Sequence, residues 1–407
     1  MKKKMPLAAQ IFIGLLLGIV VGIILLAAGK PEWASSYLKP FGTIFLNLIK
    51  FIVVPIVLTS IISGVISLKD VRKVGSIGVK TVVFYMLTTA CAVVIGLLFA
   101  SIFKGTYQVL ETSGLEYEAN AATKFMDTLV GIFPSNFIKP MADATMLQVI
   151  VGALLFGFGI IIAGEKAEPL AKVIQSAADV SLTIMEYILK LSPIGVFCLI
   201  APVVADNGPQ ILGSLALVLL TAYIGYIVHA VVVYSVSVKA AGGISPVKFF
   251  KGMLPAIMLA FSSASSVGTL PLNMDCTAKL GADKEVTSFV LPLGATINMD
   301  GTAIYQGVCA VFIAACYVID LTLGQMLTIV LTATLASIGT AGVPGAGMVM
   351  LAMVLQSVGL PVEGIALVAG VDRIFDMGRT TVNITGDAAC ALVVSNLERK
   401  KAVKRAK

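Results

Sequence analysis

Five polar side chains recur at helical spacing inside an apolar stretch near the C-terminus. They are Asp372, Asp376, Arg379, Asn383 and Asp387, at steps of four, three, four and four residues. At about 100° per residue, these positions fall within roughly 80° of arc on one face of an α-helix. A charge at membrane depth costs at least ~2.5 kcal/mol, so such residues normally face a partner or a water-filled path. This face is therefore predicted to hold a polar, charged ligand within the membrane.

The residue types on this face indicate what the ligand is. The guanidinium of Arg379 is a planar fork that suits a carboxylate. Asp376 is an acceptor that suits an ammonium group. One positive and one negative group, beside the backbone donors of the two interrupted segments described below, predict an amino acid with a second acidic group. Its α-carboxylate would bind those backbone amides, its amine Asp376 and its side-chain carboxylate Arg379.

A second polar cluster lies in the sequence Asn298-Met-Asp-Gly-Thr302. Asp300 is the single charge between Val286 and Ile319. Amide, carboxylate, hydroxyl and carbonyl oxygens are the ligands that hard cations prefer, and Gly301 allows the helix to unwind and expose carbonyls. Sodium at this cluster would neutralise an intramembrane acid, whereas the plainer alternative is hydrogen bonding to a neighbouring helix.

Further oxygens come from other helices. Asn383 and Asp387 are placed to complete the same cation cage. Tyr85, Thr88 and Thr89 add hydroxyls, although threonines in membrane helices bond their own backbone carbonyls at least as often.

Composition supports a membrane setting. Of 407 residues, 58% are hydrophobic and 13% are charged, with a mean hydropathy of +1.00; a soluble protein carries about a quarter charged residues. The net charge of +7 comes from the two ends, which argues against nucleic-acid binding and marks both termini as cytoplasmic. The six cysteines are scattered, and His229, the one histidine, is predicted to be structural because one histidine cannot form a metal cluster.

Eight apolar stretches are predicted to span the membrane, and an even number keeps both termini on one side. They are approximately Leu7–Ala28, Thr43–Leu68, Lys80–Phe103, Met146–Ala163, Ala177–Val204, Gln210–Ser237, Glu285–Val318 and Gly364–Val394.

Two more apolar regions are interrupted by small residues and proline. Pro246–Leu280 is broken by Ser262–Pro271, and Leu321–Leu360 by Ser337–Gly347. The arms are mostly too short to cross ~30 Å of hydrocarbon, and irregular backbone at that depth persists where it is buried or lines a cavity. Both regions are predicted to be re-entrant hairpins in an internal repeat, which points to a transporter's binding site. The alternative is a pair of flexible interhelical loops.

Three motifs give a specific resemblance that covers essentially the whole chain. Asn298–Thr302, Gly339–Gly347 and Asp376–Asp387 resemble those of the dicarboxylate/amino acid:cation symporter (glutamate transporter) family. The resemblance implies an all-α membrane protein of eight transmembrane helices plus two re-entrant helical hairpins with inverted repeats. It also implies scaffold and transport domains of the elevator type, and a homotrimer in lipid at the cell inner membrane.

The resemblance also implies domain boundaries. Residues 1–75 would be scaffold (helices 1 and 2), and residues 76–104 transport domain (helix 3). Residues 105–237 would hold scaffold helices 4 and 5 together with helix 6 of the transport domain. Residues 238–407 would form the transport core, made of hairpin 1, helix 7, hairpin 2 and helix 8, with a basic tail.

Site residues follow by position in the family's motifs. The implied substrate residues are Ser266, Thr302, Gly342, Asp376, Arg379, Thr380 and Asn383. One implied sodium site uses Gly294, Asn298, Asn383 and Asp387. A second uses backbone groups of Thr296, Ser337, Ile338 and Thr340. A third uses Tyr85, Thr88, Thr89, Asn298 and Asp300.

The chain departs from the family pattern in the first tip. Ala264 and Val267 interrupt the serine run that relatives often show there. Relatives also often carry an extra arginine in that tip or beside the substrate aspartate. This chain has Ala264 and Met377 at those positions and places Arg373 one turn earlier.

The expected function is sodium-driven uptake of aspartate or glutamate by a protein that is not an enzyme.

A neutral amino acid (Ser, Ala or Thr) symporter should have a small residue in place of Arg379, and a dicarboxylate carrier should lack Asp376. An intramembrane aspartyl protease would need Asp300 and Asp387 to share a proton, but neither lies in a Gly-x-Gly-Asp setting. The closed cage of acids disfavours a pure anion channel. Aspartate against glutamate preference, sodium stoichiometry, potassium counter-transport and an anion leak are left open.

Overall fold

The computed structural model describes residues 5, 7–67, 75–107, 130–131, 133–143, 145–209, 211–338 and 346–405, and all regular structure in these ranges is helical. The longer helices are α1 (Leu7–Ala27), α2 (Lys39–Ser67), α3 (Ser76–Phe103), α4 (Met146–Ala163), α5 (Glu168–Lys190), α6 (Ser192–Asn207), α7 (Ile211–Val228), α8 (Pro246–Ser263), α9 (Ser266–Lys279), α10 (Lys284–Ile297), α11 (Asp300–Cys316), α12 (Leu323–Ala336), α13 (Ala346–Ser357) and α14 (Asp372–Arg405). Short α-helical pieces are Pro31–Trp33, Lys139–Ala142, Ser235–Ala240 and Ile365–Ala369. Lys104–Thr106, Gly164–Ala167 and Val362–Gly364 are 3₁₀ turns, and Ala34–Leu38 and His229–Tyr234 are π-helical.

By length and composition, six helical stretches in the described residues are long and apolar enough to cross a membrane. They are Ala9–Ala27, Pro31–Ile66, Ser76–Thr106, Gln148–Met185, Leu212–Ala240 and Lys284–Cys316. This agrees with a multi-pass membrane protein, while the predicted number of eight spans is left as a prediction.

One predicted span is not a single continuous helix. The stretch Ala177–Val204 is divided, because α5 ends at Lys190 and α6 begins at Ser192. Pro193 lies in the first turn of α6, where its missing N–H costs nothing; inside a continuous helix it would remove a hydrogen bond.

The two interrupted regions form helix pairs. α8 and α9 pack against each other, as do α12 and α13. The four helices have 18, 14, 14 and 12 residues, in that order. At about 1.5 Å per residue each of them is shorter than the ~30 Å of hydrocarbon in a membrane. Between α8 and α9 the chain reverses at Ala264, whose φ of 51° is left-handed. The Ser265 side chain then accepts from the Gly268 amide at 3.0 Å and caps α9. Residues 339–345 of the second tip lie outside the described residues.

The helix that was expected to unwind beside Gly301 is interrupted there. α10 ends at Ile297, Asn298 is extended (φ −93°, ψ 102°), and α11 begins at Asp300. Gly301 permits close approach to α14, because a Cβ at this position would overlap the Arg379 carbonyl oxygen. The break therefore places Asn298 and Asp300 against the polar face of α14.

The helices pack in two groups. α14 is surrounded by α3 and α7 to α11, with α12 packed on α3. α2 packs against α4, α5 and α6, and α1 packs on α6. α13 contacts both α11 and α2. The polar residues singled out in the sequence lie within the first group.

Candidate functional site

Arg379 is the centre of a buried ion-pair network on α14. Its side chain is 1% exposed. Nη1 donates to Asp372 Oδ1 at 3.0 Å and Nη2 to Asp372 Oδ2 at 3.3 Å. Nη2 also lies 2.9 Å from Asp376 Oδ1, and the guanidinium carbon lies 4.4 Å from the ring centroid of Tyr305. Two carboxylates and an aromatic face therefore surround this buried cation.

This network changes the roles expected from the sequence. Arg379 and Asp376 were predicted to bind opposite ends of a substrate, yet here they contact each other. Asp372, which the predicted substrate set does not include, makes the two-pronged contact with Arg379 that a substrate carboxylate would make. In the described structure, protein carboxylates therefore occupy the positions at Arg379 that the sequence assigned to a substrate carboxylate.

α13 lies beside the same guanidinium, because a Cβ at Gly347 would overlap Arg379 Nη1. The start of α11 lies against α14, because the Gly301 amide donates to Asn383 Oδ1 at 2.8 Å. The N-terminus of a helix presents unpaired N–H groups and positive dipole charge, which favour anions. The surroundings of Arg379 are therefore suited to carboxylates.

A second centre lies one to two turns further along α14. Asn298 Nδ2 donates to Asp387 Oδ1 at 2.9 Å and to the Asn383 carbonyl at 3.0 Å. Gly294 lies so near that a Cβ would overlap Asp387 Oδ1 and Tyr85 Oη. The structure thus brings together Gly294, Asn298, Asn383 and Asp387, the four residues assigned to one sodium site.

Asp300 is surrounded by polar groups from two other helical elements. Thr89 Oγ1 donates to Asp300 Oδ1 at 2.7 Å. Tyr234 Oη donates to Asp300 Oδ2 at 2.8 Å, and His229 Nε2 lies 3.2 Å from the same oxygen. Sequence reasoning missed Tyr234 and treated His229 as a structural residue without a named partner. One signal was available: a lone buried polar group in an apolar helix needs a partner in another helix.

Neither Asp387 nor Asp300 pairs with a lysine or arginine of the described chain, and His229 is the basic side chain that contacts Asp300. Among the residues that the structure describes, no Lys or Arg lies within 4.0 Å of either carboxylate. Asn298 Oδ1, buried beside Asp387, has no hydrogen-bond partner. Two buried acids and an orphaned carbonyl oxygen form an oxygen-rich donor set that suits a hard cation. In the described chain no cluster of three or more His, Cys, Asp or Glu residues favours a transition metal.

The remaining predicted residues differ in their burial and in their hydrogen-bond partners. Ser266, Thr302 and Thr380 are buried. Thr88 donates to the Tyr85 carbonyl, as expected of a threonine that only bonds its own helix. The remaining placements are Tyr85 donating to Val290 O, Thr296 to Leu293 O and Ser337 to Thr334 O, with Ile338 buried. Thr340 and Gly342 lie outside the described residues, so the second sodium set stays a prediction.

Gly294→Ala is expected to raise the sodium concentration needed for half-maximal activation by about tenfold or more. The added methyl group would push Asp387 Oδ1 and Tyr85 Oη apart, and overpacking a filled site costs about 1–3 kcal/mol. Sodium titration of the purified protein measures the change. Gly213→Ala on α7 is the control, because a Cβ there meets nothing within 4 Å. Equal sodium dependence in the two variants would contradict the placement.

Comparison with known proteins supports the same interpretation. Residues 7–397 match the model of the sodium:dicarboxylate symporter family. The chain is 38% identical over 405 residues to a proton/sodium-glutamate symport protein of Bacillus caldotenax, covering 97% of this chain and 95% of that protein. It is 35% identical over 411 residues to a proton/glutamate-aspartate symporter of Escherichia coli (98% and 94% covered). It is 31% identical over 408 residues to a C4-dicarboxylate transport protein of Bacillus subtilis (98% and 95%).

Proposed function

Because this chain belongs to the sodium:dicarboxylate symporter family, and is thus a transporter rather than an enzyme, we propose that it couples inward sodium flow to the uptake of aspartate or glutamate. The resemblance inferred from its motifs is confirmed by the family match. The observation that carries the proposal is the buried cation of Arg379, about two turns along α14 from the buried Asp387, which pairs with no lysine or arginine among the described residues.

The substrate is proposed to bind by exchange of ion pairs. Its side-chain carboxylate takes a place at Arg379 that Asp372 or Asp376 holds in the described structure. Asp376, once displaced, accepts the substrate ammonium. The α-carboxylate binds backbone amides of the two hairpin tips, with Ser266, Thr302, Gly342, Thr380 and Asn383 completing the site. The charge-assisted hydrogen bonds that Arg379 makes to the substrate carboxylate are thus of the same kind as those it loses to a protein carboxylate.

Sodium ions are proposed to neutralise the remaining acids. One site uses Gly294, Asn298, Asn383 and Asp387, and the unpartnered Asn298 Oδ1 supports it. A second, beneath the second hairpin, uses backbone groups of Thr296, Ser337, Ile338 and Thr340. The third uses Tyr85, Thr88, Thr89, Asn298 and Asp300.

The transport cycle is proposed to be an elevator movement in a homotrimer. Eight spanning helices and two re-entrant hairpins would divide into a scaffold and a transport domain at the boundaries given above, with both termini cytoplasmic in the inner membrane. The two packing groups around α2 and α14 support this division, as does the shortness of the hairpin arms.

Uptake of labelled aspartate into proteoliposomes tests the proposal. An inward sodium gradient should drive accumulation, and unlabelled glutamate should compete. Serine and succinate serve as competitors for the two alternatives, a neutral amino acid carrier and a dicarboxylate carrier; the likeness to a C4-dicarboxylate transport protein makes the second worth testing. Accumulation of succinate but not aspartate would contradict the proposal.

Sodium is expected to drive uptake without obligatory proton co-transport. Gln306 is buried on α11 after the cation motif, where proton-coupled relatives can carry a glutamate, and an amide does not titrate. The names of the two glutamate symporters to which the chain is similar include a proton as a coupling ion. Measurement of uptake under a sodium gradient and under a pH gradient therefore decides which ion this chain requires. Uptake driven by a pH gradient in sodium-free vesicles would contradict this expectation. Another acid, such as Asp372, would then be the candidate proton carrier.

A further inference from the structure

Arg373 is a cation on α14 that the proposed transport reaction does not use. Its Nη2 donates to the carbonyl oxygens of Ser263 at 3.1 Å and Ser262 at 3.4 Å. Its Nη1 lies 3.9 Å from Asp376 Oδ2. One guanidinium group therefore lies between the tip of the first hairpin and a residue of the candidate substrate site.

The carbonyls that Arg373 contacts belong to the end of a helix. α8 ends at Ser263, and the last carbonyls of a helix lack intrahelical partners and carry partial negative charge. A cation at this end satisfies the carbonyls and complements the dipole. The chain then reverses at Ala264, a buried residue with a left-handed φ of 51°. Non-glycine residues hold that conformation where their surroundings impose it, so the tip is held from outside.

The first hairpin is attached to α14 at three levels, of which Arg373 is the one nearest the site. At the base, Arg399 donates to the Gly281 carbonyl at 2.7 Å. In the middle, Asn273 Nδ2 donates to the Ile384 carbonyl at 3.1 Å. At the tip, Arg373 makes the contact. Loss of Arg373 would therefore free the tip while the rest of the hairpin stays attached.

Asp376 joins this attachment to the substrate site. One of its oxygens pairs with Arg379 at 2.9 Å and the other faces Arg373. The carboxylate that is proposed to receive the substrate ammonium therefore lies between two guanidinium groups, one at hydrogen-bond distance and one at 3.9 Å. Together Asp372, Arg373, Asp376 and Arg379 sum to zero formal charge, so removing Arg373 leaves an excess negative charge where an acidic amino acid binds.

We propose that Arg373 is a positioning residue that fixes the first hairpin tip against the substrate site and orients Asp376. This inference rests on the proposed function for its effect on substrate affinity. The effect on the tip concerns the substrate-free protein and does not depend on which substrate is carried.

Two measurements on Arg373→Met test it. A spin label on Val267→Cys, an exposed position next to the tip, reports tip mobility in a Cys91→Ser background, since Cys91 is the exposed cysteine of the described chain. Aspartate affinity is measured by calorimetry on the unlabelled protein. We expect a more mobile label and an affinity about tenfold weaker, the order of one charge-assisted hydrogen bond. Arg373→Lys should restore the affinity in part, because it keeps the charge and loses the planar fork.

The control removes a cation from the same hairpin away from the tip. Lys279→Met breaks an exposed pair with Asp275 and should leave label mobility and affinity as in wild type. An unchanged spectrum in Arg373→Met overturns the inference, and so does an unchanged aspartate affinity. If the wild-type protein binds no aspartate, the proposed function has failed, and label mobility in the substrate-free protein alone decides the role of Arg373.

Discussion

Replacing Arg379 by cysteine is expected to abolish uptake of aspartate and glutamate. Arg379 is the fully buried basic group of the candidate site, and its fork faces the carboxylates of Asp372 and Asp376. Removing one member of a buried pair costs about 3–5 kcal/mol, which is a loss of more than about a hundredfold in affinity. With no partner for a second carboxylate, serine or alanine should compete better than aspartate.

The measurement is aspartate affinity and uptake, with serine and alanine as competitors. Lys279→Cys is the control, because Lys279 is exposed and pairs with Asp275 away from the site; it should transport as wild type. Two further measurements show whether the Arg379→Cys protein is folded: its elution as a folded species and its sodium binding without substrate. If both are retained, the loss of uptake is a loss of the substrate site and not of the fold. Unchanged aspartate affinity in this variant would overturn the assignment of Arg379.

Asp387→Asn is expected to weaken sodium binding measured without substrate, and to weaken aspartate affinity mainly at low sodium. Asp387 accepts from Asn298, which in turn contacts Asn383, and Asn383 is assigned to both the substrate and a sodium site. A cation here lowers the cost of placing the substrate's charge nearby, and the reverse holds by linkage. Coupling energies of this kind are about 1–3 kcal/mol, or roughly 5- to 150-fold in affinity.

Calorimetric titration of aspartate across a hundredfold range of sodium concentrations makes the comparison. Asp275→Asn is the control, since Asp275 is exposed and pairs with Lys279 on α9. A purely structural Asp387 would neutralise Arg373 or Arg379, but the ion pairs of those arginines in the described chain are with Asp372 and Asp376. If aspartate binds the Asp387→Asn protein as it binds wild type at every sodium concentration, Asp387 is not a coupling ligand.

The sequence by itself determined the local features of the candidate site. The spacing from Asp372 to Asp387 predicted one polar face, and these residues do lie on the single helix α14. The Asn-Met-Asp-Gly sequence indicated an interrupted helix, and the chain is extended at Asn298. Both results follow from short-range physics: helical periodicity fixes the angle of a side chain, and Asn and Asp side chains compete with the helix for backbone hydrogen bonds.

The tertiary structure decided which partners those side chains have. Nothing in the sequence selects Asp372 over a ligand as the two-pronged partner of Arg379, because spacing gives the face and not the path of a long side chain. His229 and Tyr234 meet Asp300 across more than sixty residues, since the packing of separate helices brings them together. Periodicity therefore defines each helix face, while the burial of apolar surface between helices determines which polar groups meet.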